Sequence, residues 1–347
     1  MAQIDVLAFR ERESQGLITC RSHPTHDLLI WNYTPKCQFE RAWDEVTMQA
    51  RGLITTGEGK IVGRPFRKFM NYAEHRGAIP LEPFKVTEKM DGSLLIVTSY
   101  QGEQIIATRG SFTSEQADRG RAIIQKRYAD FDFRPYYTYL FECIYPGNRI
   151  VCDYGSMEDI VLLAVIHTET GQEHDIHDPI WVEMWPFPIV KHYDGIQDIA
   201  QLQKWQEANK EGFVIRFESG LRLKIKMEEY VRLHRLLTQV NARVIWEILR
   251  EGQALDELLE KVPDEFFAWV KSTQQSLQEQ YSMIEQAGQA LYEQVKDLPT
   301  RKEQAAIACK SPYSDIVFRL LDGKPYAEQI WKRIKPMAER PFREDEG

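Results

Sequence analysis

The periodicity of this sequence changes abruptly near residue 235, and that change limits the possible folds more than any other feature. Before it, short runs rich in Val, Ile, Tyr and Phe alternate with turn residues, at 94–100, 104–108, 136–145, 160–167, 212–217 and 221–227. Runs of this kind, bounded by Gly, Pro, Asp or Asn, read as strands. Gln101-Gly102 supplies the turn of a hairpin joining the first two. Helical stretches at 115–128 and 198–208 are interspersed, the pattern of an α+β domain with largely antiparallel sheets. After residue 235 the strand signal ends. Residues 240–249 and 255–262 read as helices, and Leu277, Tyr281, Ile284, Leu291, Val295 and Leu298 fall on one helical stripe. Thr300 with Glu303 has the spacing of a capping box. The expected organisation is an α+β domain over 1–235 followed by an all-α domain over 236–347.

Composition narrows the class of protein and of partner. The net charge is −8, so contact with nucleic acid needs a local cluster of lysine and arginine rather than a basic surface throughout. The longest purely apolar stretch, 160–166, is far too short to span a bilayer, and residues 1–5 lack the basic-then-apolar pattern of a signal peptide. Five scattered cysteines with no C-x-x-C pair favour reduced thiols and a cytoplasmic protein. The H-x-x-H pairs His23/His26 and His174/His177 each sit in a polar, loop-like stretch without the four ligands a structural zinc takes, so such a site is not expected.

The sharpest chemical feature is Lys89-Met90-Asp91-Gly92, a lysine entering a tight turn ahead of an apolar strand. Asp and Gly suit the turn, and such a turn brings a bound nucleotide close to the backbone. By itself K-x-D-G is weak, since residue frequencies supply it by chance in roughly one chain of this length in twenty. It is joined by 221–227, where Arg222, Lys224 and Lys226 alternate with apolar residues and so share one strand face. Three like charges in a row need an anion over them, a polyphosphate for example, or a solvated outer face. Glu211-Gly212 introduces the apolar strand before it, and Glu142 sits inside the apolar run 139–145. A glutamate there needs a partner if it is buried, and otherwise faces solvent.

These four features occur in order over about 140 residues, and in that order they resemble the covalent nucleotidyltransferases, the polynucleotide ligases and RNA capping enzymes. Ala50-Arg51-Gly52-Leu53-Ile54, the stretch Gly63 to Asn71, Phe141-Glu142-x3-Pro146-x-Asn148-Arg149-Ile150-Val151, and Tyr230 four residues past Lys226 make the chain similar to the bacteriophage-type RNA ligase 1 family. The likeness covers about residues 45–235. One departure is Arg109, where the family places a lysine; the positive charge is kept.

The resemblance implies an ATP-dependent RNA ligase with a nucleotidyltransferase (adenylation) domain and a helical C-terminal domain for RNA selection or interaction. Lys89 would attack the α-phosphate of ATP and carry AMP, which then passes to the 5′-phosphate of an RNA end before a 3′-hydroxyl closes the strand. The amine must be neutral to attack, which requires lowering a reference pKa of about 10.4. Lys224 and Lys226 would contact the α-phosphate, Lys226 stabilising charge as it develops there. Arg51 and Lys68 would hold the β- and γ-phosphates, Glu142 the ribose, and Arg109 would contribute to the nucleotide site. Glu211 would position Mg2+, for which Mn2+ can substitute. Asp91 and Gly92 would shape the turn. The backbone near Glu88 would meet the adenine edge, with the Glu88 side chain either inward or in solvent. The implied partner is RNA with 5′-phosphate and 3′-hydroxyl ends, nicked tRNA above all, handled by a monomer away from membranes.

Rival expectations are a DNA ligase or a GTP-dependent capping guanylyltransferase. Both normally carry an OB-type β-barrel where this chain has helical patterning. A non-catalytic RNA-binding protein is a third, and Lys332, Arg333 and Lys335 form a short cationic cluster that solvation alone would explain.

Overall fold

In the computed structural model, which describes residues 2–238, 241–261 and 267–336, the chain divides into two units, Met1–Leu237 and Thr238–Gly347. The first contains three sheets. Strands β1 (Ile18–Ser22), β2 (Leu28–Tyr33), β3 (Arg51–Thr56) and β4 (Ile61–Gly63) form one antiparallel sheet in chain order. The next strands are β5 (Met70–Asn71), β6 (Phe84–Lys89), β7 (Ser93–Tyr100), β8 (Glu103–Ala107) and β9 (Tyr137–Ile144). They are followed by β10 (Asp159–His167), β11 (Glu173–His174), β12 (His192–Tyr193), β13 (Gly212–Phe217) and β14 (Arg222–Lys226). These sort into a second sheet, β11-β10-β9-β7-β8, and a third, β12-β6-β13-β14-β5. Among the described pairings of named strands only β14 with β5 is parallel, so the expectation of an α+β unit on largely antiparallel sheets holds.

The second sheet is covered on both faces, and this explains why its central strands read as unbroken apolar runs. Tyr139, Phe141 and Cys143 of β9 face a core shared with Ile123 and Ile124 of the helix Glu115–Arg127. Leu140 of β9 faces the other way, into a core with Ile30 and Ile54 of the first sheet. Ser114 caps the helix by accepting from the Ala117 N–H, with Glu115 and Asp118 in the first turn and Lys126 and Arg127 in the last. That charge order matches the helix dipole. The hairpin between β7 and β8 turns at Gln101 and Gly102, whose φ values of +52° and +83° lie in the left-handed region that tight two-residue turns require.

Two expected elements differ in extent. The helix expected at 198–208 is Ile199–Lys204, because Trp205 turns extended (ψ 119°) and Asn209 reverses the chain at φ +61°. The row Arg222, Lys224 and Lys226 does share a face, but it is not a solvated one. Lys224 is buried, and Arg222 donates both ways to Glu173 of the second sheet at 2.7 and 2.8 Å.

The second unit is helical, as the periodicity predicts. Asn241 caps the helix Ala242–Arg250, and the helix Asp256–Lys261 follows; Val240 and Val262 of the expected spans lie outside the described residues. The stripe from Leu277 to Val295 lies on the helix Phe267–Val295, whereas Leu298 falls beyond its end. Val295, Ala308 and Val317 form a small core with Leu298 against it. Both bonds of the Thr300/Glu303 capping box are present. No helix among the described residues is long and apolar enough to cross a membrane.

Gly212 lies where β13 starts between β6 and β14, with φ +149° and no room for a side chain: a Cβ there would sit 2.0 Å from the Ile225 carbonyl oxygen. Gly212→Ala should therefore cost about 2 kcal/mol or more of stability. A chemical-denaturation midpoint equal to that of the unsubstituted protein would contradict this packing.

Candidate active site

The third sheet assembles its charges through register. Gly212 pairs with Lys89 of β6 on one side and Lys226 of β14 on the other. Glu211, one residue earlier, reaches both lysines. Its carboxylate lies 2.7 Å from Lys89 Nζ and 3.1 Å from Lys226 Nζ. The Glu211 side chain is only 4% exposed and that of Lys89 is 23% exposed, so the carboxylate is enclosed while the lysine keeps an opening. Lys224 lies two residues back along β14 and pairs in register with Asn71 of β5.

The turn after Lys89 is tied to distant parts of the unit. Asp91 accepts from the Val151 and Cys152 N–H groups at 2.8 Å each and from the Tyr230 hydroxyl at 2.7 Å. Its own N–H donates to the Tyr154 hydroxyl at 2.9 Å. Burial above all, with the Glu211 and Asp91 carboxylates nearby, pushes the Tyr230 phenol far up, so it stays a donor. With both oxygens taken, Asp91 anchors the turn rather than contacting a ligand. Gly92 donates its N–H to Glu142 Oε1 at 2.9 Å. Glu142 does not face solvent: it is buried on β9, and burial pushes its carboxyl up to about 7 against the pull of Lys89, with Glu211 and Asp91 adding repulsion.

Glu88 also points inward. Its carboxylate accepts from the Tyr193 hydroxyl at 3.3 Å and lies 3.8 Å from Lys210 Nζ. Its N–H is bonded to the Lys191 carbonyl at 2.8 Å. Burial pulls the Lys210 ammonium down, but hydrogen bonds to Glu207 and Tyr193 together with the nearby Glu88 carboxylate raise it overall.

Three further cations gather around aromatic rings beside the first sheet. Arg109 stacks over Tyr33 and donates to its hydroxyl at 3.1 Å. Lys68, itself buried, lies 5.3 Å from the Tyr33 ring and 5.2 Å from that of Trp43. Arg51 stacks over Phe69. The structure thus brings Lys89, Asp91, Gly92, Glu142, Glu211 and Lys226 together, and places Arg51, Lys68 and Arg109 as a second group. Sequence reasoning missed Tyr33, Trp43, Tyr154, Tyr193, Lys210 and Glu173, and used Tyr230 only as a spacing. Their partners lie far away in sequence, and no local pattern marks them.

Among the described residues no three His, Cys, Asp or Glu side chains converge as a self-contained metal cage. A hard divalent ion carried on phosphates needs only one or two carboxylates, however, and Glu211 beside the lysines fits that demand. Chemically, the site can present an amine to an electrophile while cations and a carboxylate hold phosphates around it.

Comparison with known proteins agrees in kind. A protein family described as RNA ligase matches residues 49–231, more than half of the chain. A protein of Autographa californica nuclear polyhedrosis virus, whose name pairs a polynucleotide kinase with an RNA ligase, is 28% identical over 251 residues. That match takes in 63% of this chain and 35% of the viral protein, so the chain spans about a third of that relative's length. The RNA ligase of Rhodothermus phage RM378 is 22% identical over 385 residues, covering 88% of this chain and 84% of its own. Among solved structures, an archaeal ATP-dependent RNA ligase superposes with a TM-score of 0.47 at 14% identity, over 80% of this chain and 79% of that one.

The raised Glu142 carboxyl makes a pH prediction. Its folded-state pKa lies above its unfolded one, so its contribution to stability is full below about pH 4.5 and is lost as pH rises through about 7. Relative to Glu142→Gln, the unsubstituted protein should lose on the order of 3 kcal/mol over that window. Parallel stability–pH curves for the two proteins would rule out the buried, proton-holding Glu142.

Proposed function

The chain belongs to the RNA ligase family, and from that premise we propose that it is an ATP-dependent RNA ligase working through a covalent lysyl-AMP on Lys89. The observation that carries the reading is a buried carboxylate, that of Glu211, shared between Lys89 and Lys226. The Lys89 amine, having lost its proton, attacks the α-phosphorus of ATP. The P–N bond forms as the bond to the bridging oxygen breaks, and pyrophosphate leaves. Lys224 and Lys226 meet the charge that develops on the α-phosphate. Arg51 and Lys68 hold the outgoing phosphates and Arg109 steadies their aromatic surround, while Glu142 holds the ribose. The adenine edge is read by backbone next to Glu88, whose own N–H and side chain are already engaged. Glu211 would hold Mg2+, which when bound neutralises phosphate charge; Mn2+ can take its place.

In the second step the 5′-phosphate of an RNA end attacks the lysyl-AMP phosphorus and the Lys89 nitrogen leaves with a proton. A 3′-hydroxyl then attacks the RNA phosphate of the resulting anhydride, closing the strand and releasing AMP. The acceptor we propose is a broken tRNA loop, chosen by the helical second unit of a monomeric enzyme.

Incubation with ATP labelled on the α-phosphate should leave AMP on the protein in an acid-labile, base-stable bond, and GTP should not. Lys89→Ala should abolish the label, and Lys224→Ala and Lys226→Ala should each cut its rate at least tenfold, roughly the effect of losing one charge-stabilising group. Labelling of Lys89→Ala would sink the assignment. Sealing of a nicked tRNA stem-loop should outrun that of a linear strand or a nicked RNA duplex, and preference for the duplex would contradict the substrate.

A further inference from the structure

On the other side of the second sheet lies a cavity of about 190 Å³ that the ligase reading does not use. Its walls are aromatic: Phe131, Tyr137, Tyr139, Trp181 and Trp185, with His174 between. Tyr137 and Tyr139 alternate with Glu142 along β9, so the cavity opens on the face turned away from Glu142 and is distinct from the site at Lys89. Trp181 and Trp185 lie nearly parallel, 19° apart with ring centroids 6.2 Å from one another. The Trp185 Nε1–H is buried and has no acceptor among the described residues, and a buried donor left unmet is costly unless a ligand or water meets it. Asp132 and Arg134 stand at the lining without an ion pair among those residues. Burial lowers the His174 imidazole, leaving a neutral ring with one donor and one acceptor.

We propose that this cavity is a nucleobase site, which on the RNA-ligase reading receives an unpaired base of the RNA substrate away from the ends being joined. An aliphatic side chain would fill the aromatic walls but leave the Trp185 N–H without a partner, and an alkylammonium has no acceptor to give it. A nucleobase has flat faces for the rings and both acceptors and donors on its edge, which match the Trp185 N–H and the Asp132 carboxylate. Arg134 is the one cation in the lining, enough for a single phosphate, so the site suits one base turned out of its strand rather than a run of backbone. The same cavity could receive a free nucleoside by the same contacts. Ile180 and Met184, exposed close by in the chain, make a protein side chain the competing occupant.

The test is photocrosslinking of the full chain, with ATP present to fill the Lys89 site. The probes are a single-stranded RNA with a 5′-hydroxyl end carrying 5-iodouridine, and free 5-iodouridine. The oligonucleotide should crosslink to Trp181 or Trp185, as read by peptide mass spectrometry. Crosslinking by the free nucleoside too would show that the cavity takes the base without its strand, and also supports the site. Trp181→Ala should weaken oligonucleotide binding roughly tenfold, the worth of one base stacked on an aromatic ring. Trp185→Phe keeps the wall, removes only the N–H, and should weaken binding severalfold. AMP labelling at Lys89 should be unchanged in both, which shows that they fold. No crosslink from either probe, or unchanged RNA affinity in both variants, would overturn the proposal. So would a sedimentation result in which the unsubstituted protein self-associates and Trp181→Ala does not, with RNA affinity intact, because the cavity would then hold a protein side chain. Failure of AMP labelling in the unsubstituted protein would remove the ligase reading and leave the crosslinking result to stand by itself.

Discussion

One enclosed carboxylate organises the centre of this molecule. Glu211, just before β13, bridges Lys89 at the end of β6 and Lys226 at the end of β14, the two strands that flank β13. Such an arrangement is costly to build, because each charge gives up water, and costly to break, because removing one partner strands another at about 3–5 kcal/mol. Its geometry follows from register: Gly212 pairs with both lysines, and only a residue without a side chain fits between them. The carboxylate therefore holds both amines in place before any phosphate arrives. On the proposed reading the same Glu211 oxygens would hold a divalent ion, which would supply charge neutralisation for phosphate.

A second constraint holds the turn beyond the lysine. Asp91 is tied to residues 151 and 152 and to Tyr230, and Gly92 to Glu142. Lys89 thus sits between a sheet that supplies its counter-ion and a loop network that fixes the turn after it. The aromatic group of Tyr33 and Trp43 plays a comparable part for Lys68 and Arg109. It lays ring faces against both cations, a favourable contact between a charge and an aromatic face.

Much of this was legible in the residues. The strand carrying Glu142 shows as an apolar run because both faces of its sheet are covered, the strand carrying Lys226 shows as an alternation of apolar and cationic residues, the strand ending at Lys89 has neither pattern, and the switch to helical spacing marks the second unit. The motif order identified which charged residues belong together. The row at Arg222 shows the limit: alternation placed the three cations on one face correctly, but could not tell solvent from a neighbouring sheet. Its partner Glu173 is 49 positions away, on a two-residue strand with no pattern of its own. The Asp91–Tyr230 bond spans 139 positions, and a tyrosine hydroxyl does not reveal its acceptor. The aromatic cavity was equally silent, since its rings come from segments around 131–139, 174 and 181–185 that share no spacing.

The measurement that bears most directly on the account is peptide mapping of the unsubstituted protein after incubation with ATP and Mg2+. If Lys89 carries the nucleotide, a single AMP appears on the peptide that contains it, attached through the lysine nitrogen. AMP on Lys226, on any other residue, or on none would contradict it.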